Sequence, residues 1–183
     1  TVTPQGVIAV AKQFTSTLDH VVASGPRLVA ILEEVRDPGN AGTILRAADA
    51  AGADAVIFSG KSVDPYNPKV VRSTTGSMFH VPIVSGVGLA EVVSAMHAAG
   101  LAVVAADVKG DDLLEHRAVL AEPTAWLFGN EAHGLDDAQL ELADRALRLP
   151  IFGNAESLNL ATAASVCLYE TAFAQRASAS LPG

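Results

Sequence analysis

Short runs of consecutive apolar residues alternate along this chain with segments of helical periodicity, and that alternation is the strongest constraint on its fold. Residues 28–35 (Leu-Val-Ala-Ile-Leu-Glu-Glu-Val), 55–58, 79–84, 101–108 and 125–128 read as strands, and a sixth opens at Leu147, with Leu149 and Ile151 alternating behind it. Between them, residues 40–52 place Ile44, Leu45, Ala48 and Ala51 on one face, and 88–99 do the same with Leu89, Val92, Val93 and Met96. Residues 67–74 and 136–142 read as shorter helices, the latter started by Asp136 or Asp137, and a long Ala-rich helix runs toward Ala177 before an Ala/Ser tail. Strands apolar on both faces, each followed by a helix, predict an α/β fold: a mostly parallel six-stranded sheet covered by helices on both sides.

Composition excludes several classes. No stretch approaches the roughly 18 charge-free apolar residues of a membrane span, and no basic-then-apolar leader opens the chain. The single cysteine, Cys167, permits no internal disulfide, fits a reducing, cytoplasmic setting, and sits in the last helix as a core residue rather than a nucleophile. Net charge is −8, unevenly spread: residues 1–80 balance seven basic against seven acidic side chains, whereas 81–183 carry five against thirteen. A polyanion is therefore expected to approach Arg36, Arg46, Lys61, Lys69 and Arg72. Residues 1–26 read as a linker or arm, with a short helix over 18–23.

Three loops at strand ends carry the polar residues. Residues 36–46 (Arg-Asp-Pro-Gly-Asn-Ala-Gly-Thr-Ile-Leu-Arg) turn at Asp37-Pro-Gly39, with Asn40 expected as the helix N-cap and Arg46 inside the helix, either at a ligand site or lying over the surface. Residues 127–135 bring out Gly129, Asn130 and Glu131. Glu131 is placed to accept a hydrogen bond or to orient a cation such as Arg46, and His133 reads as a surface residue. Residues 153–156 form a Gly/Asn loop before Ser157 or Asn159 begins the last helix, whose unpaired N–H groups can grip a polar ligand. No His, Cys or carboxylate set stands at metal-ligand spacing, and neither a Walker loop nor a Gly-x-Gly-x-x-Gly fingerprint is present at the first strand's end. A nicotinamide enzyme of the Rossmann type is thereby disfavoured.

Asn40/Arg46, Gly129-Asn130-Glu131 and Ser157-Leu158-Asn159, in that order, resemble the three motifs of the SpoU-type (TrmH-like) RNA ribose 2′-O-methyltransferases of the SPOUT superfamily, over about residues 28–174. Residues 71–82 are also similar to that family's middle region. The resemblance implies a C-terminal deep trefoil knot, a homodimer, no metal, and S-adenosylmethionine held on Gly129, near Leu149 and Ile151, and on Leu158 and Leu160, with the loop at Ala106 closing over it. It implies catalytic roles for Asn40, Arg46, Glu131, Ser157 and Asn159, and RNA as substrate, ribosomal before transfer RNA. A catalytically silent RNA-binding or dimerisation module of the same fold is the alternative. It further implies that residues 1–26 link a separate RNA-binding domain to a catalytic domain at 27–183. The small residues Ala161, Ala164, Ser165, Leu168 and Ala172 are expected to pack the last helix at a subunit interface.

Overall fold

A computed structural model describes residue 6 and residues 10–179; residues 1–5 and 7–9 of the arm, and 180–183 of the Ala/Ser tail, lie outside the described residues. Among the described residues six strands form one parallel sheet: β1 (Leu28–Glu33), β2 (Ala55–Ser59), β3 (Ile83–Val87), β4 (Ala102–Asp112), β5 (Thr124–Phe128) and β6 (Arg145–Arg148), in the spatial order β3-β2-β1-β5-β4-β6. The helices are α1 (Leu18–Ala23), α2 (Pro38–Ala51), α3 (Pro68–Ser73), α4 (Leu89–Ala98), α5 (Asp137–Leu140) and α6 (Leu160–Ala179).

Strand pleating divides the core. Leu28, Ala30 and Leu32 face a layer made with α2 and α6, while Val29 and Ile31 face one made with α1 and α4. Every residue of β1, β2 and β5 is buried, the mark of a sheet covered on both faces. On the first face, Trp126 donates its indole N–H to Thr171 of α6 (2.8 Å), pairing both buried polar groups.

Several local expectations are corrected. Helix α2 begins at Pro38 rather than Asn40, because proline's fixed φ suits the first helical position, and Asp37 rather than Asn40 is its N-cap, accepting from the Asn40 N–H (2.7 Å). The strand expected from Phe79 begins at Ile83: Ser77–Phe79 form a 3₁₀ turn after Gly76 (φ +105°), and Pro82 has no N–H to give a ladder. A 3₁₀ segment over Leu113–Ala121 lacks the periodicity that sequence reading relies on. Finally, Ala161, Ala164, Leu168 and Ala172 are buried inside the chain's own core, where α6 lies on α2 and the sheet. Among the described residues, the large apolar side chains that α6 leaves exposed are Val166, Tyr169 and Phe173.

Strand β4 is the least regular element. Residues 102–105 pair with β5 and 104–106 with β6, then the backbone leaves the sheet and rejoins β6 at Asp111 and Asp112. At Gly110 it passes so close to β6 that a Cβ would lie 2.5 Å from the Ala146 carbonyl carbon, so only glycine fits.

Candidate active site

Strand order reverses between β1 and β5, since the chain builds β2 and β3 to one side and β4 and β6 to the other. Loops leaving adjacent strands at such a point diverge and open a crevice at the strands' C-terminal ends. Here the loops after β1 and β5 meet again through one carboxylate. Glu131 accepts the backbone N–H groups of Arg36 (3.2 Å) and Asp37 (3.0 Å), and the Asn40 side-chain amide reaches it at 3.4 Å. Because Asp37 has taken the cap, the Asn40 side chain is free to bridge. Its Oδ1 accepts from Asn159 Nδ2 (3.0 Å), while Asn159 Oδ1 accepts from the N–H groups of Ala161 (2.9 Å) and Thr162 (3.3 Å) at the start of α6. Of the two helix starts the sequence allowed, Asn159 is thus the one whose side chain caps α6. Glu131, Asn40 and Asn159 form one chain of hydrogen bonds across three loops.

Asn130 supports this arrangement from below. Its amide donates to the Glu34 carbonyl (2.8 Å) and accepts from the Ala132 N–H (2.9 Å), and its backbone pairs with Gly134 in both directions. Glu34 holds a left-handed backbone, φ +52°, in the loop that presents the Arg36 and Asp37 amides. Gly129 sits directly beneath: a Cβ there would lie 2.6 Å from the Gly134 carbonyl carbon.

Beside the network lies a cavity of about 580 Å³. Ala106, Leu149, Ile151, Leu158 and Leu160 line it, together with Glu131 and Ser157. Gly129 is not in the lining; it underlies the loop that is. Leu149 and Ile151 lie beyond the end of β6, so they contribute from the loop rather than from a strand. The irregular part of β4 adds Asp107, Val108 and Lys109, and the far wall adds Arg148 and Glu156, none of which the sequence reading singled out. The signal was Gly110, whose need for close backbone approach becomes visible only once β6 is beside it. Cys167 reaches the cavity floor, yet burial pushes its thiol up to about 12, which leaves it protonated and unreactive. His133 lines the rim as an exposed residue.

Arg46 lies apart from this assembly. It is exposed on α2, on the side away from buried Ile44 and Ala48, and makes no ion pair or side-chain hydrogen bond among the described residues. Glu131 therefore orients backbone amides and Asn40, and among the described residues no hydrogen bond or ion pair joins it to Arg46. Among the described residues no group of three or more His, Cys, Asp or Glu is arranged to hold a metal ion, and no helix is long and apolar enough to cross a membrane.

Comparison with known proteins gives a consistent result. The model of the SpoU rRNA Methylase family matches residues 27–169. The chain is 40% identical over 173 residues to the 23S rRNA (uridine(2479)-2′-O)-methyltransferase of Streptomyces viridochromogenes, covering 91% of the chain and 60% of that protein. It is 38% identical over 169 residues to the 23S rRNA (guanosine(2553)-2′-O)-methyltransferase RlmP of Bacillus subtilis, covering 92% of the chain and 65% of that protein. It thus spans less than two thirds of the length of either relative. Among solved structures, the SpoU methyltransferase AviRb from Streptomyces viridochromogenes, in complex with the cofactor AdoMet, superposes with a TM-score of 0.80 at 38% identity over 91% of this chain and 67% of that one. A structure titled for 2-OH methylation of C/U34 on tRNA superposes with a TM-score of 0.73 at 29% identity, over 84% of this chain and 99% of that one.

Proposed function

The chain belongs to the SpoU rRNA methylase family, and from that premise we propose that it transfers a methyl group from S-adenosylmethionine to a ribose 2′-hydroxyl of structured RNA, ribosomal RNA first, in the cytoplasm. The observation that carries the reading is the Glu131–Asn40–Asn159 hydrogen-bond chain set against the cavity beside it. The relatives' names and the AdoMet complex of AviRb support the reaction and the cofactor.

The cavity suits the cofactor on its own terms. Its volume lies within the usual range for small-molecule sites, and its walls combine apolar side chains with loop backbone and a few charges. Leu149, Ile151, Leu158 and Leu160 would hold the apolar part of the nucleoside, and Asp107, Lys109, Arg148 and Glu156 offer partners to its polar ends. When bound, S-adenosylmethionine supplies a sulfonium methyl that is already electrophilic. The chain's remaining task is to orient the weakly nucleophilic hydroxyl and exclude water. Glu131 is committed to three donors, so we assign it to fixing the loop geometry rather than to removing a proton. An arginine is essentially always charged, so Arg46 acts by positioning the hydroxyl and its neighbouring phosphate, approached from the RNA side. Ser157 lines the cavity, and Asn159 ties Asn40 to the start of α6 beside it. The passage of β4 against β6 at Gly110 supports reading the C-terminal third as the family's knot. Exposed Val166, Tyr169 and Phe173 on α6 supply a face for a homodimer, which sedimentation as a monomer at micromolar concentration would remove.

The test is transfer of a tritiated methyl group to total RNA, followed by mapping of the modified nucleoside. Arg46→Ala should lower transfer about 100-fold or more while cofactor affinity stays within a few-fold; near-normal turnover would take Arg46 out of this role. Label in transfer RNA alone would select the second reading, which the near-complete overlap with the tRNA-directed structure favours.

A further inference from the structure

We infer that the outward surface of α2, α3 and the 3₁₀ turn Ser77–Phe79 is a docking face for unpaired RNA, with Phe79 as the stacking platform and Lys69 and Arg72 as phosphate contacts. The inference rests on the methyltransferase reading for the identity of the polyanion, and its contacts form a closed circuit on one patch of surface. Helix α3 lies against α2 where a Cβ on Gly42 would meet Ser73 Oγ at 1.9 Å, and Ser73 Oγ donates to the Pro38 carbonyl (3.0 Å). Arg46 stands one turn beyond Gly42, Lys69 one turn before Ser73, and Arg72 next to it, so three exposed cations surround one helix contact. None of the three has an acidic partner among the described residues. Three residues past Arg46, Asp49 meets His80 Nδ1 at 2.9 Å, which ties the 3₁₀ turn to the end of α2. Phe79, adjacent to His80, is 65% exposed, and its ring centroid lies 5.3 Å from Phe14. Phe14 in turn meets Tyr66 edge-on at 6.2 Å, and Tyr66 precedes Lys69 by three residues.

Two independent features favour RNA over a protein partner here. In a chain of net charge −8, uncompensated cations gather on this patch, in the half of the sequence whose charges balance. Beside them lies a shallow hollow of about 530 Å³ bordered by Phe14, Phe79, His20, His80 and Pro82. An aromatic face bordered by cations is how proteins hold unpaired bases without reading a duplex, and stacking contributes with any base. Arg46 belongs both to this patch and to the proposed reaction, so a strand held on Phe79, Lys69 and Arg72 leads toward the residue that positions the ribose.

The experiment is fluorescence anisotropy of the present chain with an end-labelled single-stranded RNA of mixed sequence, and with the same RNA annealed to its complement, across a salt series. Phe79→Ala should weaken single-strand binding about tenfold or more, and Phe79→Trp should restore it. Lys69→Ala/Arg72→Ala should flatten the log–log salt slope by roughly 1.4, the loss of two phosphate contacts on a single strand. Binding of S-adenosylmethionine by calorimetry and methyl transfer to total RNA are measured in parallel. If the parent chain transfers methyl and these variants bind single strands as it does, the docking face is wrong and the methyltransferase reading stands. If the variants weaken RNA binding as expected while the parent neither binds the cofactor nor transfers methyl, the face stands and that reading falls. No binding of single strands by the parent chain, equal losses on duplex, or a change in sedimentation of Phe79→Ala in place of a change in affinity would each overturn the proposal, the last marking the patch as a contact between copies.

Discussion

The two ends of the sheet prepare for their ligands by opposite means. At the β4–β6 end the site is made of backbone: β4 leaves its ladder, crosses β6 at Gly110, and the 129–134 loop closes over Gly129 with no room for a side chain. At the β1–β3 end the surface is made of side chains, with exposed cations and an exposed phenyl ring on short helices. A cavity enclosed by close backbone passes is fixed in shape and suits one small molecule. A surface of long exposed cations and an exposed ring is adaptable and suits a polymer whose phosphates recur and whose bases vary. The Glu131 network lies between them, where the loops after β1 and β5 meet.

Substitutions that add bulk at the first end should therefore act on the fold, and truncations at the second should not. The largest effect is expected at Gly110→Ala, whose Cβ would fall 2.5 Å from the backbone of Ala146. A destabilisation of about 1–3 kcal/mol or more in urea unfolding, with loss of cofactor binding, should follow. Phe79→Ala should leave the urea midpoint nearly unchanged, and equal midpoints for the two variants would erase the contrast. Glu131→Gln comes next. A neutral amide can accept from only one side where a carboxylate now takes three donors, so methyl transfer should fall about 100-fold while cofactor affinity changes little. A large loss of affinity instead would move Glu131 from loop geometry into the cofactor site.

The smallest effect concerns acid. Each end carries one histidine–carboxylate pair, His97–Asp144 (3.0 Å) and His80–Asp49 (2.9 Å). The Ser77 hydroxyl, above all, holds Asp49 below its ordinary value against burial, with His80 adding to it. Burial pushes Asp144 up, but the Val103 N–H and His97 together outweigh it, and its carboxyl also ends low. A carboxyl with a lower pKa folded than unfolded stabilises the fold above its unfolded value, 3.8, and that contribution is lost as pH falls below 3.8 through the folded value. Thermal melts taken from about pH 5 downward through 3.8 should show a shallower acid loss for Asp144→Asn and for Asp49→Asn. A slope unchanged in both would mean that neither pair contributes.

Much of the architecture was legible because strand and helix leave different periods in a sequence. β2, β5 and α4 fall within a residue of where their apolar patterns place them, and α1 coincides with the short helix read at 18–23. The candidate polar residues were legible for a similar reason, since Asn40, Glu131 and Asn159 stand in polar loops between apolar runs. Their mutual hydrogen bonds were not legible. Asn40 looked like a cap until Pro38 moved the helix start and released its side chain. Ala161, Ala164 and Leu168 looked like an interface because small residues allow close approach to any helix, and only the position of α2 shows which helix that is.

Sequence by itself determined the sheet, the order of the loops that carry polar residues, and the charge contrast between the two halves, because each is set by local spacing or simple composition. Tertiary structure alone decided that Glu131 serves the backbone amides of Arg36 and Asp37 rather than Arg46, and that Gly110 passes against Ala146 of β6. Those facts are distances between residues far apart in the chain, and no local pattern encodes a distance that folding has yet to create.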